Sequence, residues 1–356
     1  MGSVKDLKNV IINSNTGLKT GDFFFSDRYS IFDWGEMPDK IQDKGRALAL
    51  MAAHNFEILN QNGIKNHYIG LVDADGIHKK LNNIDLESFI PDTMRVKVFE
   101  IIKPLNKGGI YDYTYFAQNR GKLNKFLIGL EVIYRNYLPK GSSLLKKMKE
   151  LKKNGRNDEL LFELERAGLD SIPKPFSRLP RTIIDFSTKL EPKDRRLSEQ
   201  EAFLISGLTE EDFLKLKQIT IKVNDIITDI AENAGFTHYD GKIEFVFDDE
   251  LSVCDVLGTF DENRFAYNGI NISKEILRKW YKVNQPEFYE ACSEYSSSGE
   301  NWQKRCPVKP ILLEKEFKML VSEMYKAGCN EYIGINVFHV RKLTEVLSDI
   351  KKHIKE

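Results

Sequence analysis

Cysteine and histidine are scarce in this sequence, and their spacing argues against zinc or dithiol chemistry. The 356 residues include six histidines, with no H-x-x-x-H pattern, and four cysteines, Cys254, Cys292, Cys306 and Cys329. No two of these cysteines form a C-x-x-C pair. A zinc ribbon, a redox-active cysteine pair and a histidine zinc site are therefore not expected. Reduced, structural thiols in a cytosol fit this usage best.

The chain also lacks a net charge and a long hydrophobic segment. Lys plus Arg and Asp plus Glu number 53 each, so the overall charge gives no reason to expect a nucleic acid or a membrane as partner. No apolar run approaches the roughly 20 residues that cross a bilayer, and the amino terminus has no signal-peptide core. We expect a cytoplasmic protein whose partners are recognised at local sites.

The length is sufficient for a large core, arranged as two lobes or as one domain with additions. Apolar residues at helical spacing, together with capping signals, predict helices over residues 46–61, 144–168, 198–207 and 209–233, and four more from residue 273 onward. The helices after residue 273 are expected to form a packing or oligomer surface rather than a site. A strand is expected over residues 126–137 and an ordered loop over residues 173–180.

The stretch from Asp240 to Arg264 is predicted to be a charged β-hairpin. Polar and apolar residues alternate there, so Asp240, Lys242 and Glu244 should share one face of a strand. A two-residue turn at 249–250 would place Glu244 opposite Asp255, with their Cβ atoms roughly 4.5–5.5 Å apart. Like charges that close are destabilising unless a cation lies between them.

Mg²⁺ is the obvious candidate for that cation, because it takes one or two carboxylates together with the phosphate oxygens of a nucleotide. The alternative is an exposed hairpin whose charged side chains simply meet water. Arg264, which closes the segment and could hold a second anion, favours a binding site.

Two further segments contain residue types that bind phosphate. Residues 11–25 predict a hairpin whose turn carries glycines and Lys19, and such a turn can bind phosphate through backbone N–H groups and a lysine. Arg135 shares one face of a predicted strand with Glu131, and a Gly-Ser turn follows, so Arg135 and nearby hydroxyls could bind a phosphate. The alternatives are a solvated lysine at position 19 and a structural ion pair at Arg135.

Taken in order, several motifs resemble those of the SAICAR synthetase (phosphoribosylaminoimidazole-succinocarboxamide synthase) family. The resemblance extends from the first hairpin to Arg264, about three quarters of the chain, and motifs in the right order are more specific than any one motif. The motifs are Ser26-Asp-Arg-Tyr-Ser-Ile-Phe-Asp33, Lys44-Gly45, Glu131-Val-Ile-Tyr-Arg-Asn136, Thr188-Lys-Leu-Glu191, Asp240-Gly-Lys-Ile-Glu-Phe245 and the segment from Asp255 through Asp261-Glu-Asn-Arg264.

The resemblance implies a two-lobed α+β fold related to the ATP-grasp and kinase-like folds, with the nucleotide in the cleft between the lobes. We divide the chain accordingly into a β-rich amino-terminal lobe (1–125), a central α+β lobe (126–270) and a helical carboxyl-terminal region (271–356) packed on the central lobe. Residues 105–124 and 144–180 are additions relative to typical members of the family. A homo-oligomer is possible on this reading.

The resemblance also implies a ligase of purine biosynthesis. Such an enzyme uses ATP and Mg²⁺ to join L-aspartate to the carboxylate of the carboxyaminoimidazole ribonucleotide CAIR, which gives SAICAR, ADP and phosphate. Phosphorylation of the carboxylate supplies a leaving group, and this transfer depends chiefly on positioning and charge neutralisation.

Two alternatives remain open, a small-molecule kinase on a related fold and a diverged non-catalytic nucleotide-binding paralogue. Departures from the family pattern suggest the second. Leu18 stands where a second lysine is usual, and Val256 stands where an acidic residue is common.

The resemblance assigns roles to individual residues. The residues expected at the transferring group are Lys242 and Arg264. The metal carboxylates are expected to be Glu244 and Asp255, with Asp240 a weaker third. The nucleotide is expected to contact Lys19, Lys189, Glu244, Asp255 and Lys103, with Lys97 competing for the place of Lys103. The ribonucleotide and aspartate are expected to contact Asp33, Lys44, Arg135, Ser142 or Ser143, Asp261 and Arg264.

Overall fold

Two antiparallel sheets form the framework of the computed structural model, which describes residues 4–140, 142–296, 299 and 301–354. The amino-terminal part contains β1 (Lys5–Ile12), β2 (Lys19–Phe25), α1 (Lys44–Gln61), β3 (Tyr68–Val72), β4 (His78–Lys79), a 3-10 turn at Leu81–Asn83 and β5 (Thr93–Lys97). Its five strands lie in the order β1-β2-β5-β3-β4. The predicted first hairpin is confirmed as the pair β1 and β2.

The first half of helix α1 is apolar on every side. Its residues 47–53 are all buried, as expected for a helix without a solvent-facing stripe. A Cβ atom at Gly45 would lie 2.2 Å from the carbonyl oxygen of Phe25, so only glycine lets the first turn of α1 approach β2 this closely. The helix ends before Gly63, whose φ of 72° confirms the predicted left-handed terminator.

The central part of the chain builds the second sheet. Its elements are β6 (Leu105–Lys107), β7 (Ile110–Asp112), α2 (Thr114–Gln118), β8 (Phe126–Leu127), β9 (Leu130–Leu138), α3 (Ser143–Lys153), α4 (Asn157–Ala167), β10 (Ser177–Thr188), β11 (Arg196–Leu197), α5 (Glu199–Ser206), α6 (Glu210–Asn233), β12 (Phe236–Asp248), β13 (Glu250–Cys254), β14 (Asn263–Tyr267) and β15 (Ile270–Asn271). Six strands follow the order β11-β10-β9-β12-β14-β15, and β13 and β8 also pair with β12.

Local signals at helix ends predicted these elements well. Ser198 and Glu201 form the expected capping box of α5, which stops at Gly207 with a φ of 74°. Thr209 caps α6 through a hydrogen bond from the backbone N–H of Asp212. The helical stretch predicted over residues 144–168 consists of two helices, α3 and α4, which are separated at Gly155 with a φ of 68°.

Two predictions about strands were wrong. The expected strand over 126–137 is divided into β8 and β9, because four residues (128–131) oppose only two residues of β12 between the pairs Leu127–Val246 and Val132–Ile243. The expected loop over 173–180 gives way to β10 from Ser177 onward. The register of β10 against β9 shifts between residues 178 and 183, and this irregularity accommodates Pro180 inside the strand.

The carboxyl-terminal helices are α7 (Glu275–Asn284), α8 (Pro286–Tyr295), α9 (Trp302–Arg305), α10 (Lys315–Ile333) and α11 (Leu343–His353). Helix α10 packs against α1 and α11. Gly328 of α10 lies against the ring of Phe260, since a Cβ atom there would be 2.7 Å from the ring. The carboxyl-terminal region therefore contacts both α1 and the segment before β14. Among the described residues, no helix is both long enough and apolar enough to cross a bilayer.

Candidate active site

Two cavities meet at one face of β12. The larger cavity, of about 580 Å³, lies between the two sheets. Its lining includes Leu7 and Phe23 from the first sheet and Leu127 and Val246 from the second. The smaller cavity, of about 260 Å³, lies between the second sheet and the start of α7, and charged side chains dominate its lining. The linings of both cavities include the side chains of Lys242 and Glu262.

The alternation predicted for β12 brings three charged side chains to the linings of these cavities. Asp240 lines the smaller cavity, Glu244 lines the larger one, and Lys242 lies between them and lines both. Glu131 and Arg135 of the neighbouring strand β9 line the smaller cavity as well. A single sheet face therefore carries charged groups from two adjacent strands.

The structure brings Glu244 and Asp255 together, although the predicted register was wrong by one residue. Glu244 pairs with Cys254, and Asp248 pairs with Glu250, so Asp249 alone forms the turn, with a φ of 60°. Asp255 follows the strand with a φ of 65° and lines the larger cavity with Glu244. The left-handed backbone at Asp255, rather than direct cross-strand pairing, brings its carboxylate to this site.

Burial and charge act oppositely on these two carboxylates. Burial and the negative charge of Asp255 raise the pKa of Glu244 to about 7, despite the nearby ammonium of Lys189 at 2.6 Å. Burial also opposes ionisation of Asp255, but Lys5, Lys189 and Lys242 outweigh it and lower the pKa of Asp255 below its usual range. Lys5 forms an ion pair with Asp255 directly. Each carboxylate of the pair is therefore matched by a lysine, Asp255 by Lys5 and Glu244 by Lys189.

The carboxylate pair fits a cation that is completed by other ligands. Among the residues the structure describes, no group of three or more acidic, histidine or cysteine side chains could enclose a metal ion. Glu244 and Asp255 both line the larger cavity, together with Asp194 and Glu262, and one or two carboxylates of this kind are the protein ligands of Mg²⁺ bound together with a nucleotide. Asp240 does not join them, because it accepts hydrogen bonds from Arg264 and Arg135 in the smaller cavity.

Lys242 is held at the junction of the cavities by carboxylates. Its Nζ lies 2.8 Å from Glu131 Oε1 and 3.2 Å from Glu262 Oε2. Burial would lower the pKa of Lys242, but Glu262, Glu131 and Glu244 outweigh burial and raise it. A protonated ammonium therefore lies between the two cavities. Sequence reasoning missed both Glu131 and Glu262 as site residues.

Arg135 and Arg264 occupy the smaller cavity as expected. Arg264 Nε donates to Asp240 Oδ1 at 2.7 Å, and Arg135 Nη2 donates to Ser143 Oγ at 3.1 Å. Of the two candidate serines, only Ser143 lines the cavity, because Ser142 is buried as the N-cap of α3. The smaller cavity is thus suited to an anion.

Helix α7 adds cations that the sequence analysis assigned only to packing. Lys274 and Arg278 line the smaller cavity. Arg278 pairs with Glu275, whereas among the residues described the ammonium of Lys274 has no hydrogen-bond or ion-pair partner, and only its carbonyl oxygen is engaged, by the backbone N–H of Arg278. A signal was present in the sequence, since Ser273-Lys274 opens a helix directly downstream of the Arg264 motif.

Lys44 and Asp261 form an almost completely buried pair at the wall of this cavity. Lys44 Nζ lies 2.7 Å from Asp261 Oδ2, and Tyr325 of α10 donates to Oδ1 at 2.9 Å. Burial lowers the pKa of Lys44 despite the opposing effect of Asp261. Asp261 lines the smaller cavity, whereas Lys44, which pairs with Asp261, does not line it. Asp33, by contrast, is exposed, and its side chain lines neither cavity.

The structure also separates the candidate lysines of the larger cavity. Lys5, Lys97, Lys189 and Lys242 line this cavity, whereas Lys19 and Lys103 are exposed and line neither. Lys19 pairs with Ile12 at the opposite end of β1 from Lys5, roughly 23 Å away at the rise of a strand. The hairpin therefore directs its strand end, rather than its turn, toward the cavity.

Comparison with known proteins identifies the family. The model of the SAICAR synthetase family matches residues 18–294. A protein of Archaeoglobus fulgidus, named as a candidate phosphoribosylaminoimidazole-succinocarboxamide synthase, is 43% identical over 99% of this chain and 99% of its own. The phosphoribosylaminoimidazole-succinocarboxamide synthase of Thermoplasma acidophilum is 28% identical over 88% of this chain and 92% of its own.

Solved structures share the fold at lower identity. The SAICAR synthase of Saccharomyces cerevisiae, complexed with SAICAR, has a TM-score of 0.61 and 21% identity, and the match covers 94% of this chain and 93% of that chain. A type-2 SAICAR synthetase in complex with ADP has a TM-score of 0.52 and 19% identity over 88% of this chain and 99% of that chain. From the extent of the family match and the identity to the Archaeoglobus protein, this chain belongs to the SAICAR synthetase family.

Proposed function

We propose that this protein joins L-aspartate to the carboxylate of CAIR in de novo purine biosynthesis, with conversion of ATP to ADP and phosphate. Family membership supports this reaction, and the relatives of known structure include complexes with ADP and with SAICAR. The observation that carries the proposal is the meeting of two cavities at Lys242. A reaction that moves a phosphoryl group between two substrates needs such a junction.

ATP is assigned to the larger cavity. Apolar side chains such as Leu7, Phe23 and Val246 offer contacts for a base, and Lys5, Lys97 and Lys189 supply positive charge for phosphates. Glu244 and Asp255 would hold Mg²⁺, which neutralises charge on the phosphates when bound. This division of apolar and charged walls is what a nucleotide requires.

CAIR is assigned to the smaller cavity. Its phosphate and carboxylate are anions, and Arg135, Arg264, Lys274 and Arg278 all line this cavity. Guanidinium groups bind both anions with two parallel hydrogen bonds. The carboxylate of CAIR would face Lys242, where the larger cavity begins.

The proposed chemistry has two steps. A carboxylate oxygen of CAIR attacks the γ-phosphorus of ATP, and ADP leaves with the electrons of the broken P–O bond. The neutral amine of aspartate then attacks the carbonyl carbon, phosphate leaves, and the nitrogen loses a proton. Lys242, kept protonated by Glu131 and Glu262, stabilises negative charge where the phosphoryl group crosses.

Coupled ADP release tests this function directly. We expect ADP only when CAIR, L-aspartate and Mg·ATP are all present, and we expect Lys242→Met to lower turnover by about 100-fold or more. The control is Lys65→Met, since Lys65 is an exposed lysine paired with Glu250, away from both cavities. ADP release that does not need aspartate would indicate a small-molecule kinase. ATP binding without turnover would indicate a non-catalytic protein.

A further inference from the structure

A line of ion pairs leads from the helical pair α3 and α4 to the smaller cavity. Arg166 of α4 donates through Nη2 to Asp185 Oδ1 at 2.8 Å. The other oxygen of Asp185 accepts a hydrogen bond of 2.8 Å from Arg135 Nε. Asp185 and Arg135 are both 5% exposed at the side chain. Arg166 is thus connected through one carboxylate to an arginine of the smaller cavity.

Arg166 is itself fixed from the side of the helices. Its Nε and Nη2 donate to Glu163 Oε2 at 3.2 and 2.8 Å, and its Nη1 donates to the carbonyl oxygen of Ile184 at 3.0 Å. Glu163 also forms an ion pair with Lys147 of α3. Every nitrogen of the Arg166 guanidinium is therefore engaged, and both helices contribute to its position.

Asp185 is shared among three arginines. Its Oδ1 accepts from Arg166 and, at 3.1 Å, from Arg196, while its Oδ2 accepts from Arg135. Burial opposes ionisation of Asp185, but Arg135, Arg196 and Arg166 outweigh it and lower its pKa. Because Arg166 and Arg196 also neutralise Asp185, this carboxylate cancels less of the positive charge of Arg135.

Arg135 keeps donors for a ligand. A guanidinium has about five N–H donors. Three of the donors of Arg135 are used, by Asp185, by Asp240 at 3.4 Å and by Ser143 at 3.1 Å. The remaining N–H groups lie one on each terminal nitrogen, and Arg135 lines the smaller cavity. This pair of donors suits a carboxylate or phosphate.

We propose that Arg166 is a positioning residue which, through Asp185, holds Arg135 in the orientation that binds an anionic group of the ribonucleotide substrate. This inference rests on the proposed function. It assigns the added helical pair α3 and α4 to substrate affinity, since both helices fix Arg166.

Steady-state kinetics of Arg166→Met in the full chain tests this role. We expect the KM for CAIR to rise about 3- to 30-fold, the range by which residues in such networks alter binding. The kcat and the KM for ATP should stay within about twofold of wild type, because binding is lost equally from ground and transition states and Arg135 does not line the larger cavity. Arg166→Lys should recover part of the affinity.

Two comparisons separate positioning from general damage. Arg156→Met is the matched control, because Arg156 caps α4 of the same helical pair and its side chain, among the described residues, forms its ion pair with the exposed Glu159, three residues on. In an Asp185→Asn background, Arg166→Met should have little further effect, since the route through the carboxylate is already broken. Circular dichroism records the thermal midpoint of each variant.

An unchanged KM for CAIR in Arg166→Met would overturn the inference. The inference would also be overturned if Arg166→Met changed this KM by the same factor in the wild-type background and in the Asp185→Asn background. Should Arg166→Met fail to fold, Arg166→Lys decides by the same criteria. Calorimetric titration with CAIR keeps the two proposals distinct. If wild type binds CAIR without aspartate-dependent turnover, the proposed function fails, and the dissociation constants of wild type and variants still test the positioning role.

Discussion

The pair of Lys44 and Asp261 gives a sharp prediction about stability, because both side chains are almost completely removed from solvent. Side-chain exposure is 0% for Lys44 and 3% for Asp261, and the ammonium lies 2.7 Å from the carboxylate. Substitution Lys44→Met removes the ammonium and leaves Asp261 with the hydroxyl of Tyr325 as its hydrogen-bond donor. An unpaired carboxylate then remains inside the protein.

The magnitude follows from the cost of a broken buried pair, about 3–5 kcal/mol. The hydrogen bond from Tyr325 compensates in part, so we expect the free energy of unfolding of Lys44→Met to fall by about 3 kcal/mol. The double variant Lys44→Met/Asp261→Asn removes both charges and should regain about half of this loss or more. The exposed lysine of the Lys65–Glu250 pair is the control, and Lys65→Met should cost less than about 0.5 kcal/mol.

Urea unfolding, followed by circular dichroism at neutral pH, measures all four proteins including wild type. The reasoning is refuted if the double variant is as unstable as Lys44→Met. It is equally refuted if Lys44→Met costs no more than Lys65→Met, since the buried pair would then behave as a surface pair.

Three further predictions concern the larger cavity and a buried histidine. Lys97→Ala should raise the KM for ATP about tenfold or more, because a charged hydrogen bond to the nucleotide is lost. Lys103→Ala should leave this KM unchanged, because Lys103 lies outside the cavity. Equal effects of the two substitutions would contradict the assignment of Lys97 to the nucleotide. Asp255→Asn should raise the Mg²⁺ concentration for half-maximal rate about tenfold or more, and an unaltered Mg²⁺ dependence would exclude Asp255 as a ligand. Burial lowers the pKa of His238 to about 4, so below about pH 6.5 the unfolded chain takes up a proton that the folded chain does not. This should remove about 1.4 kcal/mol of stability between about pH 7.5 and pH 5.5. The fall in the free energy of unfolding over this interval, measured with urea, should therefore be smaller by about that amount in His238→Gln than in wild type.

Helix ends and family motifs were predictable because their signals are local. The capping box at Ser198, the cap at Thr209 and the terminator at Gly63 each require only a few neighbouring residues. The charged face of β12 followed from alternation alone, and it places Lys242 and Glu244 in the site.

The register of the hairpin could not be obtained in the same way. β12 is 13 residues long and pairs with β8, β9, β13 and β14. Its register against β13 depends on a single left-handed residue, Asp249, and Asp-Glu is not a preferred turn pair that would reveal this from sequence. A one-residue error follows directly.

Long-range contacts account for the other missed residues. Lys5 reaches Asp255 across 250 positions of the chain, and Lys274 enters the smaller cavity from a region whose periodicity indicated only packing. Lys19 had the more suggestive local sequence, yet the antiparallel geometry of β1 and β2 places it at the far end of the hairpin. Glycine and lysine in a turn predict a phosphate site only when the fold brings that turn to the cavity.

The most direct test of the account follows oxygen from CAIR into phosphate. CAIR that carries oxygen-18 in its carboxylate is turned over with Mg·ATP and L-aspartate, and the released phosphate is analysed by mass spectrometry. If the carboxylate is phosphorylated across the junction at Lys242, each phosphate released by the amine should carry an oxygen-18 atom from CAIR. Phosphate that contains only ordinary oxygen would contradict the account.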